Sequence, residues 1–502
     1  FGCTNLKSIN LPETLKILEE GVFQNCKNLA TTGCANVLPA AIEAVGKKAF
    51  YSCGLLAGAL VLPKGLTTLG EDSFYGCASL SGLTMQDGFN GLAAAGGQFN
   101  GCDGLHSVTL SSDLTELPPR TFFDCGLTEL PDLKNVSSIG QACFQRNDKL
   151  TEITIPESVT TLAGNAFAYC NGLKKITVLG DPAQGSGAFS KNTALTEFVA
   201  PKLTSIGKNA FEGCTALTTF TVPDNITLID DYAFKSCSAL KELVFPATYK
   251  APTLTMGLLV FQFCKAFTGI VVQDGANLRL DSDGVLFSGD GKTLIGTVDT
   301  FAATSYTVPE GVEHISGYAF YKKTKLAEVT LPESLKSIGD SAFLGCTALK
   351  AVVLPSGLET LGTYAFSECS ALTTADLGDT LTAIPDCAFN KCTALTKVEL
   401  PATVTSIASK AFYSDSKLTA VAFPEGLTEI GKSAFYGCSK LTKAILPQSL
   451  TTMDTEAFSG CSALTEIDCG GLTVIPAKAF RGVSKLVKLT MSDDVTGIGD
   501  SA

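Results

Sequence analysis

The sequence predicts an α/β repeat solenoid, mostly β, whose coils stack a parallel sheet on one side and short strands or helical turns on the other. Three observations predict it. A phenylalanine recurs from Phe23 through Phe50, Phe74, Phe99 and Phe122 to Phe480, almost always at steps of 22 to 27 residues, and every step from Phe320 to Phe458 is 23. A fixed period of that size marks units that bury their apolar edges only against the unit before and after. Each unit also carries an L-x-x-V-x-L segment closed by proline, as in Leu349, Val352, Leu354 and Pro355. Finally, 45% of the residues are apolar, enough for a core running the length of the chain. The 502 residues would otherwise suggest about three globular domains at roughly 150 residues each; the repeat makes one elongated domain the expectation.

The unit from Leu349 to Cys369 justifies each element in turn. Val352 and Leu354 alternate with period two, as a half-buried strand requires. Pro355 ends that strand because it has no N–H for a continuing ladder. Pro355-Ser356-Gly357 turns the corner, Leu358 and Leu361 form a second short apolar side, and Gly362 frees the backbone for another bend. Thr363 to Cys369 is too short for an independent helix and reads as one helical or 3₁₀ turn that drops Ala365 and Phe366 inward. Stacked at about 4.8 Å, some twenty-one such coils would make a rod or arc of about 100 Å, with a sheet on one side and a phenylalanine spine opposite.

The chain divides into irregular repeats over 1–265, a hairpin-bearing coil over 266–319 and regular 23-residue repeats over 320–502. Gly- and Ala-rich extra residues, such as Gly88 to Gly97, are expected to bulge as loops. In the 59-residue step from Phe261 to Phe320, Gly284 to Ile295 reads as two strands around a Gly289-Asp290-Gly291 turn. Both ends fall inside a repeat: Phe1-Gly2-Cys3 matches Phe343 to Cys346, and Ala502 stops one residue before the next ladder phenylalanine. A fragment truncated at both ends is therefore expected, with caps, leader and anchor elsewhere.

These units resemble the BspA-type (Treponema pallidum-type) leucine-rich repeats of bacterial and protozoan surface proteins. The resemblance rests on units such as Leu326 to Cys346, extends over essentially the whole chain, and includes the Asp283 to Phe287 island and the Tyr306 to Val312 re-entry. It implies a right-handed leucine-rich repeat superhelix in a cell-surface or secreted recognition protein, with adhesion to host matrix or neighbouring cells as the usual role. It carries over no catalytic, cofactor or metal-binding residue, because the motif residues are core residues. The chain departs from the motif where the ladder cysteine gives way to Asn147, Asn192, Lys323, Asp415 and Val483.

Composition narrows the function classes. A net charge of -12 and the absence of a basic cluster disfavour nucleic acid and anionic membranes as partners, and no run of about 18 apolar residues is present to span a bilayer. Of nineteen cysteines, fifteen hold one phase of the repeat. Neighbouring coils bring their Cα atoms within disulfide range, but in-register side chains run parallel instead of toward one another, so buried free thiols are expected. A tetrahedral metal site is not expected from a row of ligands without a Cys-x-x-Cys pair. Gly289 to Thr293 echoes a phosphate loop but lacks the first glycine, Leu286 standing there, and the helix that must follow. Asp281-Ser282-Asp283-Gly284 suggests a calcium loop whose first ligand position is Arg279, a cation. His106 and His314 lie far apart in the repeat, so neither can serve the other in catalysis; no catalytic residue, cofactor or metal is assigned. Asn135-Val136-Ser137 and Asn225-Ile226-Thr227 are glycosylation sequons, usable only in a eukaryotic secretory setting.

One position remains for recognition: the outward strand residue between the last two apolar ones, dominated by threonine and valine. Thr109, Thr154, Thr177, Thr221, Val244, Thr307, Thr330 and Val353 form the candidate contact strip for a protein or glycan ligand. β-Propensity alone also accounts for such a row. The expected function is a non-enzymatic recognition module used in adhesion; the alternative is a spacer or targeting arm of a larger multidomain enzyme or receptor.

Overall fold

The computed structural model describes residues 1–298 and 301–502, which divide into two compact units, Phe1–Ala276 and Asn277–Ala502. Each is a mostly β parallel solenoid. In the second unit the strands Ala351–Val353, Thr374–Asp376, Lys397–Glu399 and Ala420–Ala422 pair in parallel and in register, one from each coil. A second stack of two-residue strands, among them Ala383–Ile384, Ser406–Ile407, Glu429–Ile430 and Thr452–Met453, lines another side of the same coils. The first unit repeats the arrangement, with Glu152–Ile155, Lys175–Val178 and Glu197–Val199 on one side and Ser138–Ile139, Thr161–Leu162 and Ala183–Gln184 on the other.

The core of each unit follows from the periodic residues. In the second unit Phe320, Phe343, Phe366, Phe389, Phe412 and Phe435 are wholly buried. Consecutive rings stack nearly parallel with centroids 5.0 to 5.6 Å apart. Burying each ring stabilises its coil by about 1.5–3 kcal/mol. Phe198 and Phe220 add a short second aromatic column in the first unit, Phe198 meeting Phe211 edge-on at 4.8 Å.

The helical or 3₁₀ turn expected around each ladder phenylalanine does not form: no helix is present among the described residues. The backbone explains why. The residues two before and two after the phenylalanine are left-handed, as at Tyr364 and Glu368 around Phe366, with φ of 54° and 60°, and a right-handed helix cannot pass through such positions. The N–H groups of Tyr364, Phe366 and Glu368 instead donate to the carbonyls of Asp386, Ala388 and Asn390 in the following coil, at 3.0, 2.8 and 2.7 Å. The turn is thus a third hydrogen-bonded ladder between coils. The α component of the expected fold class is corrected accordingly.

Insertions are absorbed into the stack. The Gly88 to Gly97 stretch packs where a bulging loop was expected: Phe89 is fully buried, and Gly91 accepts from Leu69 N–H at 2.7 Å, continuing the second-side ladder. A Cβ on Gly91 would lie 2.2 Å from the Thr67 carbonyl oxygen, so only glycine allows this approach. In the second unit, Val285–Ser288 and Thr293–Thr297 form the expected antiparallel hairpin. Leu278–Leu280 adds a strand to its outer edge, and Thr293 and Leu294 pair in parallel with His314 and Ile315, so the hairpin grows out of the second-side sheet. Asp290 closes the turn by accepting from Ser288 Oγ at 2.6 Å and Lys292 N–H at 3.0 Å.

Charged columns alternate in sign along the stack. Glu313 accepts from Lys292 and Lys336, each at 2.7 Å, and Glu466 from Lys443 at 2.9 Å and Lys488 at 2.8 Å. Hydrogen bonds from the two lysines hold each glutamate down to about 2. A carboxyl depressed in the folded state contributes stability above its ordinary value near 4.5 and loses it as pH falls toward 2. Glu466→Gln is therefore expected to flatten the acid limb of thermal stability between pH 4.5 and 2. Because the lysines are exposed, the change is small; an acid limb identical to that of the unsubstituted chain would refute the assignment.

Candidate interaction surface

Strand alternation sends the middle residue of each first-side strand inward and its two neighbours outward. The registers place the outward residues side by side. In the first unit Thr154, Thr177 and Val199 are paired neighbours, as are Thr221, Val244 and Val271, and Thr109 lies beside Thr84. In the second unit Thr307 lies beside Thr330, and Val353 begins a row with Asp376, Glu399 and Ala422. The eight candidate residues therefore fall on the outer sheet faces of both units. Thr177 and Val244 are half-buried; the others are exposed, Val353 to 63%.

A second outward column, two residues earlier in each strand, is charged and largely self-paired. Glu152, Lys175 and Glu197 are registered neighbours, and Lys175 reaches Glu197 at 2.6 Å, a contact that raises its affinity for the proton. In the first unit an uncharged Thr/Val column thus runs beside a charged one, whereas in the second unit Asp376 and Glu399 enter the Thr/Val column.

Two other threonine columns escaped the sequence reading, although they share the repeat spacing. Thr396, Thr419, Thr442 and Thr465 each donate Oγ1 to the carbonyl of the equivalent residue one coil earlier, at 2.9 to 3.4 Å. Thr405, Thr428 and Thr451 do the same on the second side at 3.0 to 3.3 Å. Their hydroxyl protons are spent on stacking. By contrast, the hydroxyls of Thr109, Thr154, Thr177, Thr221, Thr307 and Thr330 have no partner among the described residues.

The sheet of the first unit is interrupted twice, after Ser107–Thr109 and again between Glu197–Val199 and Thr219–Thr221. At the first of these breaks Pro131 is buried and, lacking an N–H, continues no strand between Ser107–Thr109 and Glu152–Ile155. A groove of about 550 Å³ opens there, lined by Thr109, Leu110, Glu129, Leu130, Pro131 and Lys134.

Other motifs resolve into local structure. Asp281 of the calcium-like loop spends one oxygen on the Tyr306 hydroxyl at 2.7 Å and the other on the N–H groups of Asp283 and Val285. His106 Nδ1 lies 3.2 Å from the Gly126 carbonyl, and His314 Nδ1 2.8 Å from Ser337 Oγ. Asn135 and Asn225 are exposed, and each donates its amide to a carbonyl of the preceding coil. Among the described residues no group of three His, Cys, Asp or Glu converges to hold a metal ion, and no helix is long and apolar enough to cross a membrane.

The family model described as BspA type Leucine rich repeat region matches residues 1–94, 93–184, 183–277, 299–392 and 382–502. No curated protein matches the chain. Among solved structures, a leucine-rich repeat protein from Eubacterium ventriosum ATCC 27560 is 23% identical with a TM-score of 0.48, covering 62% of this chain and 83% of its own. A leucine rich cell surface protein from Faecalibacterium prausnitzii A2-165 is 20% identical over 97% of this chain and 88% of its own, with a TM-score of 0.29. A leucine-rich repeat protein from Bacteroides ovatus ATCC 8483 is 19% identical over 98% of this chain and 94% of its own, with a TM-score of 0.26.

Proposed function

The chain belongs to the BspA-type leucine-rich repeat family, and on that basis we propose that it is a non-enzymatic recognition module of a cell-surface or secreted protein, binding a protein ligand in adhesion to host or neighbouring cells. The observation that carries this reading is the contrast between threonine columns. Those that stack the coils have their hydroxyls consumed, whereas the outward column keeps its hydroxyls free beside exposed Val199 and Val271. A strip with free donors and acceptors, small apolar groups and few unpaired charges can be desolvated at modest cost, as the centre of a protein interface requires. A glycan would use the same hydroxyls. The groove at Pro131 gives the strip a concave point where a protruding side chain can seat.

The test is saturable binding to immobilised extracellular-matrix proteins and to intact cells. A variant carrying Thr109→Lys, Thr154→Lys, Thr177→Lys and Thr221→Lys is expected to bind at least about tenfold more weakly, a change of roughly 1.4 kcal/mol, with its thermal midpoint unchanged. Undiminished binding by that variant would remove the strip from recognition. Absence of saturable binding to every matrix protein and cell type would defeat the adhesion reading and favour a spacer.

A further inference from the structure

The cysteine row makes one repeated contact. Cys346, Cys369, Cys392, Cys438 and Cys461 each donate Sγ–H to the ladder phenylalanine carbonyl of the preceding coil, at 3.1 or 3.2 Å. Burial pushes these donors that carry a resolved shift upward, Cys346 to about 12, and keeps them as thiols. Within this run Asp415 takes the place of a cysteine. It is wholly buried, and neither carboxyl oxygen has a hydrogen-bond partner. The carbonyl that a cysteine would satisfy there belongs to Phe389.

The first unit shows what the position demands. Where Asn147 and Asn192 replace the cysteine, their amides donate to the Phe122 and Phe167 carbonyls of the preceding coil, at 2.8 and 3.1 Å. The buried cysteines and asparagines of the row place a donor there, which half-buried Val483 does without. An ionised carboxylate has none and would set its charge against a carbonyl oxygen inside the core, whereas a protonated one carries an O–H in the right place. We propose that Asp415 is held as a neutral carboxylic acid whose hydroxyl donates to the Phe389 carbonyl, and that loss of this proton makes the coil a pH-sensitive latch in the second unit.

The surroundings favour the neutral form. The titratable groups facing Asp415 are the thiols of Cys392 in the preceding coil and Cys438 in the following one, both neutral. Lys391 is paired with Glu368, and Lys410, Lys417 and Lys440 are exposed. Burial raises the Asp415 carboxyl well above its ordinary 3.8, offset only in part by the backbone at Cys392. A carboxyl raised in the folded state contributes stability that is full below its unfolded value and is lost as pH rises toward the folded one. This is opposite in sign to Glu313 and Glu466.

Hydrogen exchange in the whole chain tests the latch, with rates corrected for intrinsic exchange. Protection of the amides from Lys410 to Leu418 is expected to fall by at least about tenfold between pH 5.5 and 8.5, the effect of one proton equilibrium displaced by a unit or more. Asp415→Asn and Asp415→Cys, which restore a donor that needs no carboxyl proton, should hold protection constant within about threefold. Asp415→Asn should also melt higher at pH 8.5. The proposal is overturned if the unsubstituted chain keeps full protection at pH 8.5, or if both variants retain its pH slope.

Discussion

Replacing Phe343 with alanine is expected to destabilise the second unit by about 3 to 5 kcal/mol. The ring is fully buried and stacked on Phe320 at 5.0 Å and Phe366 at 5.1 Å, nearly parallel to both. Lost burial accounts for about 1.5–3 kcal/mol and two ring contacts for about 0.5–1.5 kcal/mol each. The cavity cannot collapse cheaply, because Phe320 N–H is bonded to Ala342 O and Phe343 N–H to Ala365 O, both at 2.8 Å or less, fixing the coil on each side. Phe343→Leu keeps most of the volume and should lose less than half as much. In a solenoid each coil contacts only its neighbours, so the loss should appear first as early exchange of amides near Phe343 and then as a separate denaturant transition. A Phe343→Ala chain within about 1 kcal/mol of the unsubstituted protein would contradict the aromatic spine as the source of stability.

What could be read from the residues was whatever repeats through side-chain size. Phe343, Leu349 and Val352 declare their burial by spacing alone, and the hairpin around Asp290 is written in its Gly-Asp-Gly turn. The left-handed turns were not legible, because their positions are filled by Tyr364, Glu368, Cys387 and Lys391 as often as by glycine. Their conformation is imposed by hydrogen bonds to the next coil, which no local propensity encodes. For the same reason the three threonine columns look alike in sequence; only the structure separates Thr419, whose hydroxyl is bonded, from Thr177, whose hydroxyl is free. Asp415 was visible as a departure from the cysteine row, but its unsatisfied oxygens were not.

Those left-handed turns supply the sharpest backbone test. Lys410 has φ of 58°, is exposed, and makes no ion pair among the described residues, so its side chain contributes little beyond its Cβ. Its N–H donates to Lys432 O at 2.9 Å, in line with Phe412 to Ala434 at 2.8 Å and Ser414 to Tyr436 at 2.7 Å. Proline at 410 would demand φ near −65° and remove the first of these donors, leaving the Lys432 carbonyl unpaired, for a loss of about 3 kcal/mol or more. Glycine tolerates the left-handed position, and its greater freedom when unfolded offsets the relief, so Lys410→Gly should stay within about 1 kcal/mol of the unsubstituted chain. Lys410→Ala retains the Cβ and should match lysine. If the turn instead relaxed easily into a helical turn, proline would be tolerated and glycine would be the more damaging change. Denaturant midpoints of the three variants separate these cases: a proline variant as stable as the glycine one would show that coil-to-coil bonding at this turn does not hold the stack.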